Sequence, residues 1–400
     1  MRKRGAFSKR GWPVSLLSGF LLSPFLWLAL LLTALFSFAG HRTPLFRLVF
    51  FNVISFLVIA ALFDALFAYV LLTPDHLFRT DHRYYHHGLK PYQDQTTKWG
   101  DYGERYRVRT NSLGMLDAEI REVPLKKEGR RIILMGDSFI EGVGFEYEKT
   151  VPGLVAAHFA PKGVEVLGAG TVSYSPKLHY LRMKYLLEEG LTFDDLYLFI
   201  DIGDIQDEIV YAYFVPDEHR EPLWKERLSL FYYQHSWLFR LLRDRFSFRQ
   251  ENPRHEFSDY WGGLPQYYQV RPRWTHDEKE FERWGKQGLA SALDYTDKLF
   301  NLLKKHNIVL HLSVHPWREQ ILREKGTSLQ QSAWSLFCAE RNIDFIDLFP
   351  LFQRNGSATE IIGRYFIEKD IHWNEAGMRL VADEIIARIE SDGGSKTQEK

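Results

Sequence analysis

From about residue 130 onwards, short runs rich in β-branched residues alternate with longer segments of helical period, and this alternation constrains the fold more than any other feature. Five such alternations predict an α/β fold in which helices cover both faces of a five-stranded parallel sheet. Ligands bind such sheets beyond the carboxyl ends of the strands. The predicted strands are 131–135, 164–167, 196–200, 308–314 and 344–348. The predicted helices are 150–159, 177–189, 287–305, 328–341 and 374–390.

The amino-terminal fifth of the chain is strongly apolar. No residue from Pro13 to Gly40 is charged, and this run exceeds the roughly 7 to 15 apolar residues of a signal-peptide core. It predicts a transmembrane helix at about 13–40. A second helix is predicted at about 48–72, where Asp64 lies close enough to one end to reach the interface. Residues 1–73 are therefore predicted to form a membrane region with one or two transmembrane helices.

The side of the membrane depends on how many helices cross it. Basic residues at the start of the chain favour a cytoplasmic amino terminus. Two crossings would then leave the large domain in the cytoplasm, whereas a single crossing would export it, and the sequence leaves both topologies open. The basic residues are Arg2, Lys3, Arg4, Lys9 and Arg10.

The rest of the chain divides into a polar lead-in at 74–129, a main domain at 130–392 and a disordered tail at 393–400. A segment at about 211–286 interrupts the alternation and is too long for an ordinary connection. Within it, 226–248 mixes aromatic residues with arginines, which suits a helix at a membrane interface, over a pocket or packed on the sheet. The insertion is therefore predicted to be a lid, a partner surface or a small subdomain.

Composition excludes several classes of function. Lys plus Arg equals Asp plus Glu, 51 of each, so no strong basic field exists to bind nucleic acid. The single cysteine, Cys338, excludes an intrachain disulfide framework and a thiolate metal cluster. No cofactor is predicted, and no metal, because the histidines near the membrane region lack ligand spacing. These residues are Asp81, His82, His86 and His87.

Two short motifs carry candidate chemistry. Gly136-Asp137-Ser138 ends the first predicted strand, where Ser138 would reach the sheet edge and the following helix would offer amide donors, unless these residues only cap that helix. Asp370 precedes His372 by two residues on a loop before the last helix. The pair suits a triad in which Ser138 is the nucleophile, His372 moves the proton and Asp370 orients the imidazole.

These motifs resemble the conserved blocks of the SGNH, or GDSL-type, hydrolase superfamily. Residues 133–138 resemble the first block, 166–170 the second, and Asp370 with His372 the last, over a span of roughly 107–389. The resemblance implies a three-layer, flavodoxin-like SGNH fold. It also implies an oxyanion hole that uses backbone amides of Ser138 and Gly170.

The chain departs from the superfamily pattern in two places. Gly203 replaces the block III asparagine that supplies a third oxyanion donor, and loss of one donor typically costs about 100- to 1,000-fold in turnover. Either a backbone amide, such as that of Gly203, substitutes or the reaction is slower. The spacing of two between Asp370 and His372 resembles the polysaccharide O-acetyltransferase branch. Further pocket candidates are Asp137, Asp204, Asp207 and His315.

The function predicted first is hydrolysis of an acyl ester on a carbohydrate or lipid through an acyl-enzyme on Ser138. The alternatives are an O-acyltransferase that modifies a cell-envelope polysaccharide and a catalytically weakened membrane assembly protein with the same fold. The segment at 109–114 resembles a lead-in of membrane-anchored bacterial members, which implies the bacterial inner membrane. The oligomeric state is left open.

Overall fold

The structure is a computed structural model that divides into two compact units, residues 1–77 with 219–256 and residues 78–218 with 257–400. Most of the predicted insertion, including most of 226–248, lies outside the described residues, as do the basic amino terminus and the last four residues. The described residues are 20–21, 23–38, 43–67, 78–99, 104–216, 228, 232, 236–239, 242, 271–324, 326–353 and 356–396.

The first unit contains two apolar helices, α1 (Pro24–Phe38) and α2 (Pro44–Leu66). They pack against each other through stacked rings of Phe36 and Phe50, whose centroids are 4.1 Å apart. Among the described residues, α2 is the one helix long and apolar enough to cross a membrane, with a mean hydropathy of 2.4. The described helix at the first predicted crossing has 15 residues, fewer than the roughly 20 that a crossing needs.

Asp64, the carboxylate within the second predicted crossing, has a structural contact. Its side chain is buried, and Oδ1 accepts a hydrogen bond of 2.8 Å from the backbone N–H of Leu238, within the same unit. Thr43 caps the start of α2 by accepting a bond from the Phe46 N–H. The helix begins four residues before the predicted position, and the predicted end at Leu72 lies outside the described residues.

The second unit contains a five-stranded, all-parallel sheet, which confirms the predicted fold class. The spatial order is β6-β5-β7-β8-β9, the flavodoxin-like order in which the direction of winding reverses between β5 and β7. Ligands in such folds bind at this reversal, beyond the carboxyl ends of the strands. The strands are β5 (Arg131–Gly136), β6 (Glu165–Gly170), β7 (Asp195–Ile200), β8 (Val309–Val314) and β9 (Asp344–Asp347).

Helices form the outer two layers of this unit. Helix α4 packs on α12, and α5 packs on α7. The last helix ends at Lys396, four residues into the segment predicted to be disordered. The helices are α3 (Ser138–Glu141), α4 (Val151–Phe159), α5 (Pro176–Glu188), α6 (Asp204–Val210), α7 (Lys286–Lys305), α8 (Arg318–Arg323), α9 (Leu329–Arg341), α10 (Phe349–Gln353), α11 (Ala358–Tyr365) and α12 (Glu375–Lys396).

The lead-in folds into two antiparallel hairpins that the sequence did not predict. Strand β1 (Arg79–His82) pairs with β2 (His86–Leu89), and β3 (Asp94–Lys98) pairs with β4 (Arg105–Arg109). After β4, Leu116 forms a bridge to Gly168 of the edge strand β6. The segment at 109–114 therefore leads directly to Leu116, which covers the edge of the sheet.

Candidate active site

Ser138 stands at the carboxyl end of β5, at the reversal of the winding. The tight turn after β5 requires glycine at position 136, because a Cβ there would lie 2.6 Å from the Ile140 side chain. The helix that follows is a single turn, which ends at Gly142 in the left-handed conformation with φ 73°. Asp137 caps this turn by accepting a 2.9 Å hydrogen bond from the Phe139 N–H, so the predicted capping role and the placement of Ser138 at the sheet edge are both observed.

His372 connects Ser138 to Asp370. Its Nε2 lies 2.7 Å from Ser138 Oγ, and its Nδ1 lies 2.5 Å from Asp370 Oδ1. His372 is 1% exposed and Ser138 is 6% exposed, so the relay is protected from bulk water. Burial alone would raise the pKa of Asp370, but the His372 charge and hydrogen bonds from His372 and Trp99 lower it to about 2.

Trp99 belongs to this site although the sequence analysis did not select it. Its indole Nε1 donates a 3.0 Å hydrogen bond to Asp370 Oδ2, the carboxylate oxygen that does not contact the imidazole. The indole ring also meets the His372 ring edge-on, with centroids 5.2 Å apart. Trp99 lies 271 residues before Asp370, and no local sequence pattern connects the two.

A small cavity of about 50 Å³ opens at Ser138 and His372. It lies between the loop after β6 and the residues that follow β7 and β8. Of the pocket candidates, Asp137 and Asp207 reach this wall, whereas Asp204 and His315 are fully buried behind it and the prediction that they line the pocket is wrong. The lining residues are Trp99, Asp137, Ser138, Val172, Ser173, Asp207, Arg271, Trp317, Ile371 and His372.

Gly170 allows close packing beneath Ser138. A Cβ there would lie 2.1 Å from the Glu141 nitrogen, so only glycine permits β6 to approach α3 this closely. Gly170 itself does not line the cavity, whereas Val172 and Ser173 do. Its role as an oxyanion donor stays a prediction.

Gly203 has no amide to offer the cavity. Its N–H donates a 2.6 Å hydrogen bond to Asp201 Oδ1, and the same oxygen accepts from the Asp204 N–H. Asp201 therefore binds the backbone at the start of α6. The proposed use of the Gly203 amide as an oxyanion donor is inconsistent with this bond.

Arg271 is the second site residue that the sequence analysis missed. Its Nη2 donates a 2.8 Å hydrogen bond to the Gly203 carbonyl and pairs with the Asp207 carboxylate. The side chain is buried and lies over the Trp317 ring, 5.6 Å from the centroid. Burial raises the pKa of Asp207 to about 6 although the Arg271 charge opposes this shift.

Three buried carboxyl groups meet beneath the cavity, with one oxygen from each of Asp137, Asp201 and Asp204 within 4.8 Å of the others. Burial and repulsion from Asp201 raise the pKa of Asp137 and of Asp204 well above the usual range. Both shifts favour the neutral form of these two carboxyl groups. His315 packs between the rings of Phe139 and Trp373.

Among comparisons with known proteins, the family model described as the SGNH hydrolase-like domain of the acetyltransferase AlgX matches residues 269–400. This stretch includes Asp370 and His372 but not Ser138. Among curated proteins, no sequence matches this chain.

Several solved structures share the fold at low identity. A lipolytic protein of the G-D-S-L family from Veillonella parvula is 13% identical, with 65% of this chain and 97% of that chain covered and a TM-score of 0.38. A catalytic mutant of an acetylxylan esterase from Geobacillus stearothermophilus is 11% identical, with 66% and 96% covered and a TM-score of 0.36. Residues 269–400 thus resemble an SGNH hydrolase-like domain, and they lie within the unit that contains the parallel sheet.

Proposed function

We propose that this protein is a serine-dependent ester hydrolase that removes a short acyl group through an acyl-enzyme on Ser138. The observation that carries the proposal is the continuous contact from Ser138 Oγ through His372 to Asp370, with distances of 2.7 Å and 2.5 Å. Such a relay activates a serine that is otherwise a weak nucleophile. Its position at the strand-order reversal agrees with where α/β sheets bind ligands.

The relay supports a two-step reaction. His372 Nε2 accepts the Ser138 proton as Oγ adds to the ester carbonyl, and the carbonyl π electrons move onto its oxygen. Collapse of this intermediate expels the alcohol, which receives the proton from His372. Water then repeats the sequence on the acyl-enzyme and releases a carboxylic acid and Ser138. Asp370 keeps Nδ1 protonated and stabilises the imidazolium in both steps.

The size of the cavity supports a small acyl group. One water needs roughly 10–15 Å³ of space on this measure, so a cavity of about 50 Å³ holds only about four waters. An acetyl group fits such a space, whereas a long acyl chain would have to extend beyond it. We therefore propose an acetylated carbohydrate as the substrate class, in preference to a long-chain lipid ester.

The test compares detergent-solubilised full-length protein with Ser138→Ala. Wild-type protein is expected to hydrolyse p-nitrophenyl acetate and to react with a fluorophosphonate probe, and Ser138→Ala should lose both. Ser335→Ala, which changes an exposed serine on α9, is the matched control and should behave as wild type. Equal labelling of Ser138→Ala and wild type would reject Ser138 as the nucleophile, and no reaction with either protein would favour a non-enzymatic role.

Acyl transfer to a carbohydrate hydroxyl is a second candidate, because the family model that matches residues 269–400 is that of an acetyltransferase domain. Transfer and hydrolysis share the acyl-enzyme and differ only in whether a sugar hydroxyl or water attacks it. Wild-type protein given p-nitrophenyl acetate and an oligosaccharide should yield acetylated oligosaccharide by mass spectrometry if it is a transferase. Release of acetate alone would identify a hydrolase.

Helix α2 supports a proposal of membrane attachment. Large apolar side chains on it, including Leu48, Phe51 and Phe56, are at least 60% exposed, as expected for a lipid-facing surface. We expect the full-length protein to stay in the membrane fraction after carbonate extraction. Release into the soluble fraction would reject an integral anchor, and a carboxyl-terminal reporter fusion would determine the side of the membrane.

A further inference from the structure

Gly203, where the superfamily pattern has an asparagine, lacks room for a side chain. A Cβ at this position would lie 2.8 Å from the Trp317 ring and 2.9 Å from Arg271 Nη2. Real Cβ atoms essentially never approach other atoms this closely. The Arg271 guanidinium thus occupies the space into which an asparagine side chain would project.

The guanidinium is held in one orientation before any substrate arrives. It donates to the Gly203 carbonyl, forms an ion pair with Asp207 and lies over the Trp317 ring. The side chains of Arg271 and Asp207 are each 7% exposed. Donors fixed in this way stabilise developing charge strongly, because little reorganisation is needed during the reaction.

Arg271 shares the wall of the small cavity with Ser138 and His372. A ligand in a cavity of about 50 Å³ contacts most of the surrounding groups at once. The other ionisable groups on this wall are Asp137 and Asp207. Neither carboxyl group suits stabilisation of an oxyanion, and His372 serves as the base, so the positive charge of Arg271 is suited to that task.

We propose that Arg271 replaces the missing asparagine as a catalytic donor to the oxyanion. This inference rests on the proposed function. When Ser138 Oγ adds to the ester carbonyl, the π electrons move onto the carbonyl oxygen, and Arg271 donates an N–H to that oxyanion. Arg271 keeps its proton throughout, because arginine does not deprotonate in proteins. The charge returns to the carbonyl when the alcohol leaves.

The experiment uses full-length protein in which Asp207→Asn serves as the reference background. That change prevents a buried, unpaired carboxylate when the arginine is removed. Arg271→Met removes every N–H donor, whereas Arg271→Gln keeps an amide donor. With p-nitrophenyl acetate, a neutral ester, kcat should fall about 100- to 1,000-fold in Arg271→Met, with a smaller fall in Arg271→Gln and little change in KM. Arg379→Gln, an exposed change on α12, should have no effect.

A second measurement separates catalysis from a folding defect. Methylboronic acid forms a tetrahedral anionic adduct with a catalytic serine, so its inhibition constant should rise in Arg271→Met by a factor similar to the fall in kcat/KM. If Arg271→Met is active and its kcat and inhibition constant are unchanged, Arg271 is not the oxyanion donor, although the proposed function stands. The same holds if only KM for anionic esters rises, which would make Arg271 a carboxylate-binding residue. An inactive and unlabelled wild type would overturn the proposed function and this inference with it.

Discussion

A single carboxylate oxygen explains how Asp370 and His372 make contact although only one residue separates them. Asp370 Oδ1 accepts the backbone N–H of His372 at 3.0 Å and also contacts the imidazole Nδ1 of the same residue. The bond to the backbone N–H fixes the direction of the Asp370 side chain. The bond to Nδ1 then fixes the orientation of the imidazole ring. Oδ2 stays available to a residue from elsewhere in the fold, which is Trp99.

Trp99→Phe should impair the relay without removing any of its three members. The change deletes one donor to a charged carboxylate, and such bonds contribute about 1.5–3 kcal/mol, so kcat should fall about 10- to 100-fold. Loss of a bond that lowers the pKa of Asp370 should also raise the pKa of that carboxyl group. Steady-state kinetics at pH 7 measure the fall in kcat.

Trp284→Phe is the matched control, because Trp284 also donates its indole N–H to a carboxylate, that of Glu280. Trp284 does not line the cavity. If both variants retain wild-type kcat, Trp99 has no positioning role.

At the scale of residues, the sequence was sufficient to select the candidate site residues that lie on recognisable local motifs. Ser138 follows a strand, and Asp370 and His372 lie on one short loop, so order along the chain was enough to select them. Trp99 and Arg271 escaped selection because their contacts join residues 271 and 64 positions apart. Such contacts arise only once the sheet brings distant loops together.

At the scale of elements, the lead-in holds the cavity loop in place. Arg79 of β1 forms a two-bond ion pair with Glu141 of α3. The same Glu141 carboxylate accepts a 2.9 Å bond from the Val172 N–H, and His87 Nε2 lies 2.8 Å from the Val172 carbonyl. The first hairpin, α3 and the loop after β6 are therefore connected through one buried glutamate.

Glu141→Gln should destabilise the fold and disturb the cavity loop. Glu141 is 3% exposed and Arg79 is 16% exposed, and removing one partner of a buried pair costs about 3–5 kcal/mol. We expect a loss of about 3 kcal/mol in the free energy of unfolding, measured with urea, and a lower kcat. Glu148→Gln removes the partner of Arg109 in a more exposed pair and should cost no more than about 1 kcal/mol. Similar losses in both variants would contradict the role assigned to Glu141.

The five strands and the five longest helices of the sheet domain were predictable because each carries its own hydrophobic pattern. The predicted helix at 374–390 corresponds to Glu375–Lys396, and the strand at 196–200 to Asp195–Ile200. The lead-in hairpins were not predicted because their strands are polar and short. Their pairing depends on a small hydrophobic cluster in which Leu89 and Leu116 are buried together with Tyr147 of the main domain.

At the scale of the whole molecule, the interior of the sheet domain holds ionisable groups whose pKa shifts act on stability in opposite directions. Burial lowers the pKa of His179 to about 3 and that of His315 to about 4. Burial raises the pKa of Asp207 to about 6 and that of Glu319 to about 7. The histidines therefore oppose folding in acid, whereas the carboxyl groups favour it.

The contribution of one histidine can be isolated with His179→Phe. Between pH 6.5 and about 3 the unfolded chain binds a proton at His179 that the folded chain excludes, so this contribution to stability falls as pH falls through that window. From pH 7 to pH 5 wild type should lose roughly 2 kcal/mol relative to the variant. Any packing cost of phenylalanine is the same at both pH values and cancels, as do the contributions of Asp207 and Glu319.

Urea unfolding at the two pH values measures this difference, and exposed His306→Phe is the control that should track wild type. Parallel behaviour of His179→Phe and wild type would mean that His179 is protonated in the folded protein.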